Sequence, residues 1–170
     1  MKNTSDDRRS AAGPWETAWL GLGSNLGNRR RNIEQAVALL DQREEIRIIK
    51  VSSLIETTPV GGPPHQEMHL NGAVQIQTSL PAEELLDYLQ SLETRLGRLP
   101  ASQRPPGAAR TIDLDLLLYG KWVINTTRLI IPHPRLHQRR FVLLPLAEIA
   151  PDLYHPLLNQ TIQQLLDNLG

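Results

Sequence analysis

Cysteine is absent from the 170 residues, so disulfides, thiolate metal sites and cysteine nucleophiles are excluded together, and the composition suits a reducing compartment. Net charge is absent too. Eighteen Lys and Arg offset 18 Asp and Glu, which removes any overall pull toward nucleic acid or anionic membrane. A charged ligand must therefore meet a local cluster. No run of about 18 apolar residues occurs, and the amino-terminal MKNTSDDRRSAAGP lacks the apolar stretch of a secretion signal, so the expectation is a soluble cytoplasmic protein that touches no membrane. Two nucleotide fingerprints are also missing. Gly21, Gly23 and Gly27 fall in G-x-G-x-x-x-G, one residue too long for a dinucleotide turn, and no G-x-x-x-x-G-K-[ST] run exists. Turn and capping duty is what that spacing predicts for these glycines. His133 and His137 stand four apart, but Pro134 lies between them without a glutamate partner, so zinc is not expected.

What is present alternates. After a polar tail at residues 1–14, TAWLGL (17–22) reads as a strand, and GSNLGNRRRNIEQAVALLD turns into a helix with Ile33, Val37 and Leu40 at helical spacing. EIRIIKVSSLIET and LNGAVQIQTSL read as two strands of a long-looped hairpin around the Gly, Pro and His of TPVGGPPHQEMH. PAEELLDYLQSLETRLG predicts a helix with Pro81 in its first turn, a stripe of Leu85, Leu89, Leu92 and Leu96, and Gly97 as its stop. RTIDLDLLLYG follows as a strand, then the short KWVIN, IPHPRLHQRRFVLLPLAEIAPD and a last amphipathic helix near TIQQLLDNL. The order β-α-β-β-α-β with appended C-terminal helices predicts an α+β sandwich in a single domain over residues 15–170.

One strand raises the chemical question, because carboxylates are poor strand formers and costly to bury unpaired. Residues two apart share a face, so Asp113 and Asp115 point together while Ile112, Leu114, Leu116 and Leu118 fill the other side. The pair either faces solvent on a half-exposed sheet or converges on one or two hard cations, a plausible magnesium site. Arg110 beside it favours a phosphate-handling site. Arg95, Arg98, Arg104 and Arg110 bracket the loop RLPASQRPPGAA, which could close over a polyphosphate or simply be a charged surface loop. Gln90 and Glu93 lie three apart off the leucine stripe and read as solvated positions. Phe141 is the only phenylalanine and follows Gln-Arg-Arg; it suits either the core or stacking on a flat heterocycle.

In order and spacing, LGLGSNLGNR, SSLIETTPVGG, LNGAV, PAEELLDYLQSLETRLGR, RTIDLDLLLYG and IPHPRLHQRRFVLLPLAEIAPD resemble the 6-hydroxymethyl-7,8-dihydropterin pyrophosphokinase family of folate biosynthesis, over about Thr17 to Asp152. The resemblance implies a ferredoxin-like fold and transfer of pyrophosphate from ATP to the hydroxymethyl oxygen of the pterin, with release of AMP. It implies that Asp113 and Asp115 hold two Mg²⁺ ions, with ATP as co-substrate. Arg98 and Arg110 then belong to a catalytic lid on the ATP phosphates, with Gln90, Glu93, His133 and Arg139 as further ATP contacts. Thr57, Val60, His69, Asn71 and Phe141 match the pterin site. Partners are then ATP and the pterin, without nucleic acid, and the protein is expected to be a monomer. Three positions depart from the family pattern: His69 stands where a tyrosine often stacks, PPGAA replaces a common Trp-Gly-Pro before Arg110, and Pro134 replaces an aromatic residue. The rival readings are a non-enzymatic ferredoxin-like ligand-binding module and another two-metal phosphotransferase or nuclease, the last disfavoured by the lack of a basic stripe.

Overall fold

A computed structural model describes residues 14–59 and 62–170. Of the expected tail only Pro14 is included, and Val60 lies outside the described residues. The chain runs β1 (Glu16–Ser24), α1 (Arg29–Gln42), β2 (Ile46–Val51), β3 (Ile55–Thr57), β4 (His69–Thr78), α2 (Ala82–Arg95) and β5 (Asp113–Tyr119). The two-residue strands β6 (Ile124–Asn125) and β7 (Ile130–Ile131), then α3 (Arg140–Ile149) and α4 (Ile162–Asn168), complete it.

The main sheet is antiparallel, in the order β2-β4-β1-β5, with β3 pairing along β4. Together β2 and β3 form one interrupted edge, so the pattern is the expected βαββαβ. The interruption has a local cause. Ser52 keeps its backbone bond to Ala73, but its hydroxyl also accepts from the Ala73 N–H at 2.8 Å, taking a place the ladder would fill. Next to it, the Ser53 N–H and hydroxyl donate to the two oxygens of Glu148 on α3, at 3.0 and 2.6 Å. A strand held by a helix on one face cannot stay flat, and 52–54 leave the ladder.

Each sheet face carries its own core. On one, α1 and α2 bury Ile33, Leu40, Leu85, Leu89 and Leu92 against Leu20, Leu22, Val74, Ile76, Leu114 and Leu116. Each fully buried leucine or isoleucine contributes on the order of 1.5–3 kcal/mol before chain entropy is counted. On the other, α3 and α4 bury Leu143, Leu146, Ile162 and Leu165 against Trp19, Ala73, Leu117 and Leu118. Leu118 therefore does not share a face with Leu114 and Leu116 as strict alternation predicts. The pairing of β1 with β5 slips between Trp19 and Leu20, whose partners are Leu118 and Leu116, so the bulge at Leu117 turns the next side chain over.

Two helices are capped by side chains, and a third begins one residue later than expected. Asn28 caps α1 by accepting from the Arg31 N–H at 3.1 Å, and Thr161 with Gln164 forms a complete capping box on α4. Pro81 is the residue before α2 rather than inside its first turn, its carbonyl accepting from Leu85 N–H at 2.9 Å.

His155 organises the loop into α4. Its ring is buried, and Nδ1 accepts from the N–H groups of Leu157 at 3.2 Å and Leu158 at 3.1 Å. Burial, and then the neighbouring His137 ring at 6.2 Å, hold its pKa below the ordinary 6.5. The unfolded chain takes up the proton first, so this stabilisation is intact above about pH 6.5 and is lost as pH falls through the folded value. His155→Gln should lower the thermal midpoint at pH 7.5 by several degrees and flatten its decline between pH 7 and 5, as read by calorimetry. His69 and His133 are shifted the same way, so the slope should shrink without vanishing.

Candidate active site

On the α3 side the sheet is uncovered at the end where β5 begins, leaving a cleft of about 1000 Å³. That is ample for two small substrates. Its floor explains the glycines of β1. Gly21 pairs with Asp115 and Gly23 with Asp113 across the ladder, and Gly23 pairs with Asn71 on the other side. A Cβ at position 23 would lie 3.2 Å from Asn71 Oδ1, and one at 21 would lie 3.7 Å from Asp115 Cβ. Any longer side chain would fill the space above the carboxylates. Gly21 and Gly23 are thus the cleft floor, not a turn; only Gly27, at φ +72°, serves the turn the spacing predicts.

Asp113 and Asp115 emerge side by side, as the strand period requires. Asp113 accepts from Arg98 Nη1 at 2.9 Å and from Arg110 Nη1 at 3.0 Å. No ion pair or hydrogen bond among the described residues reaches the Asp115 carboxylate. Burial first, then Asp113 and Glu93, push its carboxyl up to about 7, while Arg139 and Arg110 pull the other way. Glu93, 8% exposed on α2, is likewise raised to about 7, chiefly by burial. Its Oε2 accepts from the Leu114 N–H at 3.0 Å and from Arg98 in a close ion pair. Far from being a solvated position, Glu93 ties α2 to β5 and holds Arg98 in place.

Of these three carboxyl groups, Asp113 and Glu93 are held by arginines, and Asp115 has no cation in contact. Among the described residues no group of three or more His, Asp or Glu forms a closed metal cage. Two hard oxygen donors on an open floor are what Mg²⁺ takes when phosphates and water complete its shell. The donor set fits that ion; the chain has no thiolate to offer, and the described residues gather no imidazole cluster.

The cleft runs from the β3 edge to the β5 edge, and its two ends differ. Near β3 lie Thr57, His69 and Asn71, with Phe141 from the start of α3. Asn71 Nδ2 donates to Thr57 Oγ1 at 2.5 Å, which fixes the amide and leaves its other N–H for a ligand. Arg139 lies over the Phe141 ring, 5.6 Å from its centre. At the other end lie Gln90, His133, Arg98 and Arg110, with a wall the sequence reading did not anticipate, Thr126 to Ile130 of the β6–β7 hairpin. That wall is pinned to α2: Thr126 donates to Glu83 at 3.2 Å, and Arg128 pairs with Glu83 and Asp87. His133 Nδ1 accepts from Arg135 N–H at 3.2 Å, so the proton of the neutral ring sits on Nε2 as a free donor. Burial and then Arg139 keep that ring below its ordinary pKa. Every expected site residue among those described lines this cleft. His137, four residues on, packs against His155 instead.

Residues 19–151 match the model of the family described as 7,8-dihydro-6-hydroxymethylpterin-pyrophosphokinase, HPPK. The chain belongs to the HPPK family. Over 133 residues it is 49% identical to the 2-amino-4-hydroxy-6-hydroxymethyldihydropteridine pyrophosphokinase of Bacillus subtilis, covering 78% of this chain and 77% of that one. A Synechocystis relative of the same name is 40% identical over 152 residues, 89% of this chain and 75% of its own length. The folic acid synthesis protein fol1 of Schizosaccharomyces pombe is 40% identical over 152 residues, but this chain spans only 20% of it. Among solved structures, wild-type Plasmodium falciparum HPPK-DHPS superimposes with a TM-score of 0.71 at 16% identity, over 92% of this chain and 45% of that one, a likeness of fold. The HPPK fold accordingly accounts for the described sheet and helices, and a longer protein carries it beside a further portion in these last two cases.

Asp115→Asn removes a raised, uncompensated carboxylate. A carboxyl whose folded pKa exceeds its unfolded value stabilises the fold less and less as pH rises from about 4 to about 7. In the absence of divalent cations the variant should therefore melt higher than the wild type at pH 7.5, and Mg²⁺ should raise its midpoint less. Scanning calorimetry with and without Mg²⁺ reads both.

Proposed function

We infer that this protein transfers the pyrophosphoryl group of ATP to the hydroxymethyl oxygen of 6-hydroxymethyl-7,8-dihydropterin, releasing AMP, as a step of folate biosynthesis. Family membership supports the reaction. The observation that carries it to particular residues is the pair Asp113 and Asp115 on an open cleft floor beneath Arg98 and Arg110. Asp113 and Asp115 hold Mg²⁺, two ions in our reading. Held by these two carboxylates, Mg²⁺ would supply neutralisation of the phosphate charge during transfer.

The chain's own groups do the rest. Arg98 and Arg110 exchange Asp113 for phosphate oxygens, offering planar paired donors where charge develops in the transition state. Arg104 joins them on the lid; its Nε is buried without a partner, and burial with the two neighbouring cations depresses its pKa. Gln90 and the Nε2–H of His133 bind the nucleotide, Arg139 takes phosphate, and Glu93 acts by fixing Arg98 and the start of β5. At the other end Asn71 and Thr57 satisfy the polar edge of the pterin, Phe141 stacks on its face and the neutral His69 covers the opposite side with less area than a phenol ring. Holding both substrates in line supplies most of the rate, because phosphoryl transfer asks for position and charge neutralisation rather than covalent help. We take residues 15–170 to act as one catalytic domain, in the cytoplasm and as a monomer; no helix among the described residues is long and apolar enough to cross a membrane.

Chromatography after mixing the protein with ATP, Mg²⁺ and the pterin should yield equal amounts of AMP and pterin diphosphate, and neither in EDTA. ADP in place of AMP would refute the reaction class, and absence of both would favour the non-enzymatic binding module. Arg110→Ala should lower kcat about a hundredfold or more with a small effect on pterin affinity. Phe141→Ala should weaken pterin binding about tenfold, measured by fluorescence titration, the loss expected for one stacked ring.

A further inference from the structure

Helix α1 opens against its own dipole. It begins with Arg29, Arg30 and Arg31 and has no acid in its first turn, although the partial positive charge of a helix start favours carboxylates there. Arg29 has a use for the misplaced charge. Its Nη1 donates to Met68 O and its Nη2 to Glu56 Oε1, both at 2.7 Å, so one planar fork joins the two strands β3 and β4 close to where their ladder ends. That ladder ends at the pair Thr57 and His69, and Met68 is the next residue beyond it. Alternation sets the direction of the grip. Thr57, His69 and Asn71 line the cleft, whereas Glu56 pairs with Leu70, which is buried in the core beneath α1 and α2. Arg29 therefore holds the pterin end of the sheet from its back face. Its own footing is firm: Asn28 caps the helix, and Asn32 Nδ2 donates to Leu26 O at 2.9 Å and to Ser24 Oγ at 3.3 Å, Ser24 being fully buried at the end of β1.

We propose that Arg29 is a positioning residue for the pterin: by tying Glu56 and Met68 to the start of α1, it sets the placement of their neighbours Thr57 and His69 on the opposite face of the sheet. The inference rests on the assignment of this end of the cleft to the pterin. β3 needs such a support. It is a three-residue strand paired with β4 alone, cut off from β2 where 52–54 leave the ladder. Thr57 Oγ1 accepts from Asn71 Nδ2 at 2.5 Å, so a shift of β3 also moves the amide that meets the heterocycle. Polar groups that orient a flat ligand lose much of their effect when their support lets them drift by a fraction of an ångström. The same contacts matter less to stability, because the Glu56 carboxylate is half exposed and an exposed ion pair contributes little. Arg29 touches neither substrate; it acts through Glu56 and Met68.

The test separates the two substrates on the whole protein. Pterin affinity is read by fluorescence titration with 6-hydroxymethylpterin alone, and the nucleotide by the KM for ATP at saturating 6-hydroxymethyl-7,8-dihydropterin. Arg29→Ala should weaken pterin binding about tenfold and leave the KM for ATP within about twofold, with the thermal midpoint nearly unchanged. Arg29→Lys keeps the charge but not the fork, and should remain about fivefold weaker than the wild type. Glu56→Ala removes one arm of the grip by truncating a half-exposed side chain, and should weaken pterin binding about threefold; adding it to Arg29→Ala should cost nothing more. Hydrogen exchange without ligand supplies a second readout: the amides of Ile55–Thr57 should exchange faster in Arg29→Ala, while those of β1 keep their wild-type rates. Unchanged pterin affinity or unchanged exchange in β3 overturns the proposal, as does wild-type affinity in Arg29→Lys. Equal losses for pterin and ATP with a lower midpoint overturn it too, since they mark general destabilisation. A wild type that binds no pterin refutes the substrate assignment and the role of Arg29 with it, whereas a wild type and an Arg29→Ala variant that bind equally well remove Arg29 alone.

Discussion

Two carboxylates on one face of β5, partly withdrawn from water, repel each other and resist ionisation; most of the site is arranged around that tension. Asp113 is relieved by Arg98 and Arg110, while Asp115 has no cation in contact and its pKa is pushed up to about 7. A folded chain that tolerates such a group gives up stability at this place, the mark of a site kept for something other than the fold. The glycines opposite, Gly21 and Gly23, keep the space above the pair open at the cost of two side chains' worth of packing.

The rigidity needed to hold that tension comes from the two cores. With α1 and α2 packed on one face and α3 and α4 on the other, β1 and β4 in the middle of the sheet are fixed from both sides. The cleft occupies the stretch of the α3 face that those helices leave bare. Rigid strands thus carry the carboxylates and Asn71, whereas the arginines and the pterin-side segment sit on loops.

Charge is distributed with the same economy. A chain with no net charge gathers Arg98, Arg104, Arg110 and Arg139 around one cleft and balances them there with Asp113, Asp115 and Glu93. Arg128, at the cleft's far wall, is spent on Glu83 and Asp87 instead, and so fixes the hairpin against α2. The positive field is local, which is appropriate for a small polyanion and useless for a long one.

What the sequence by itself determined is everything governed by near neighbours. Alternation placed Asp113 and Asp115 on one face, and the leucine stripe of α2 named its buried side, because a strand's period of two and a helix's period of 3.6 are properties of the local backbone. The order of the elements, with the family resemblance, extended this to the fold class. What only the tertiary structure decided is which distant groups meet. Glu93 looked solvated until β5 brought the Leu114 amide to it, Leu118 changed faces because of a bulge visible only against β1, and Gly21 and Gly23 became a floor only once β4 and β5 flanked them. Asn25, Gln66 and Gly107 stand 41 residues apart at each step along the chain, and no periodicity links them. Their meeting depends on the closure of the whole sheet, a long-range event that local propensity does not record.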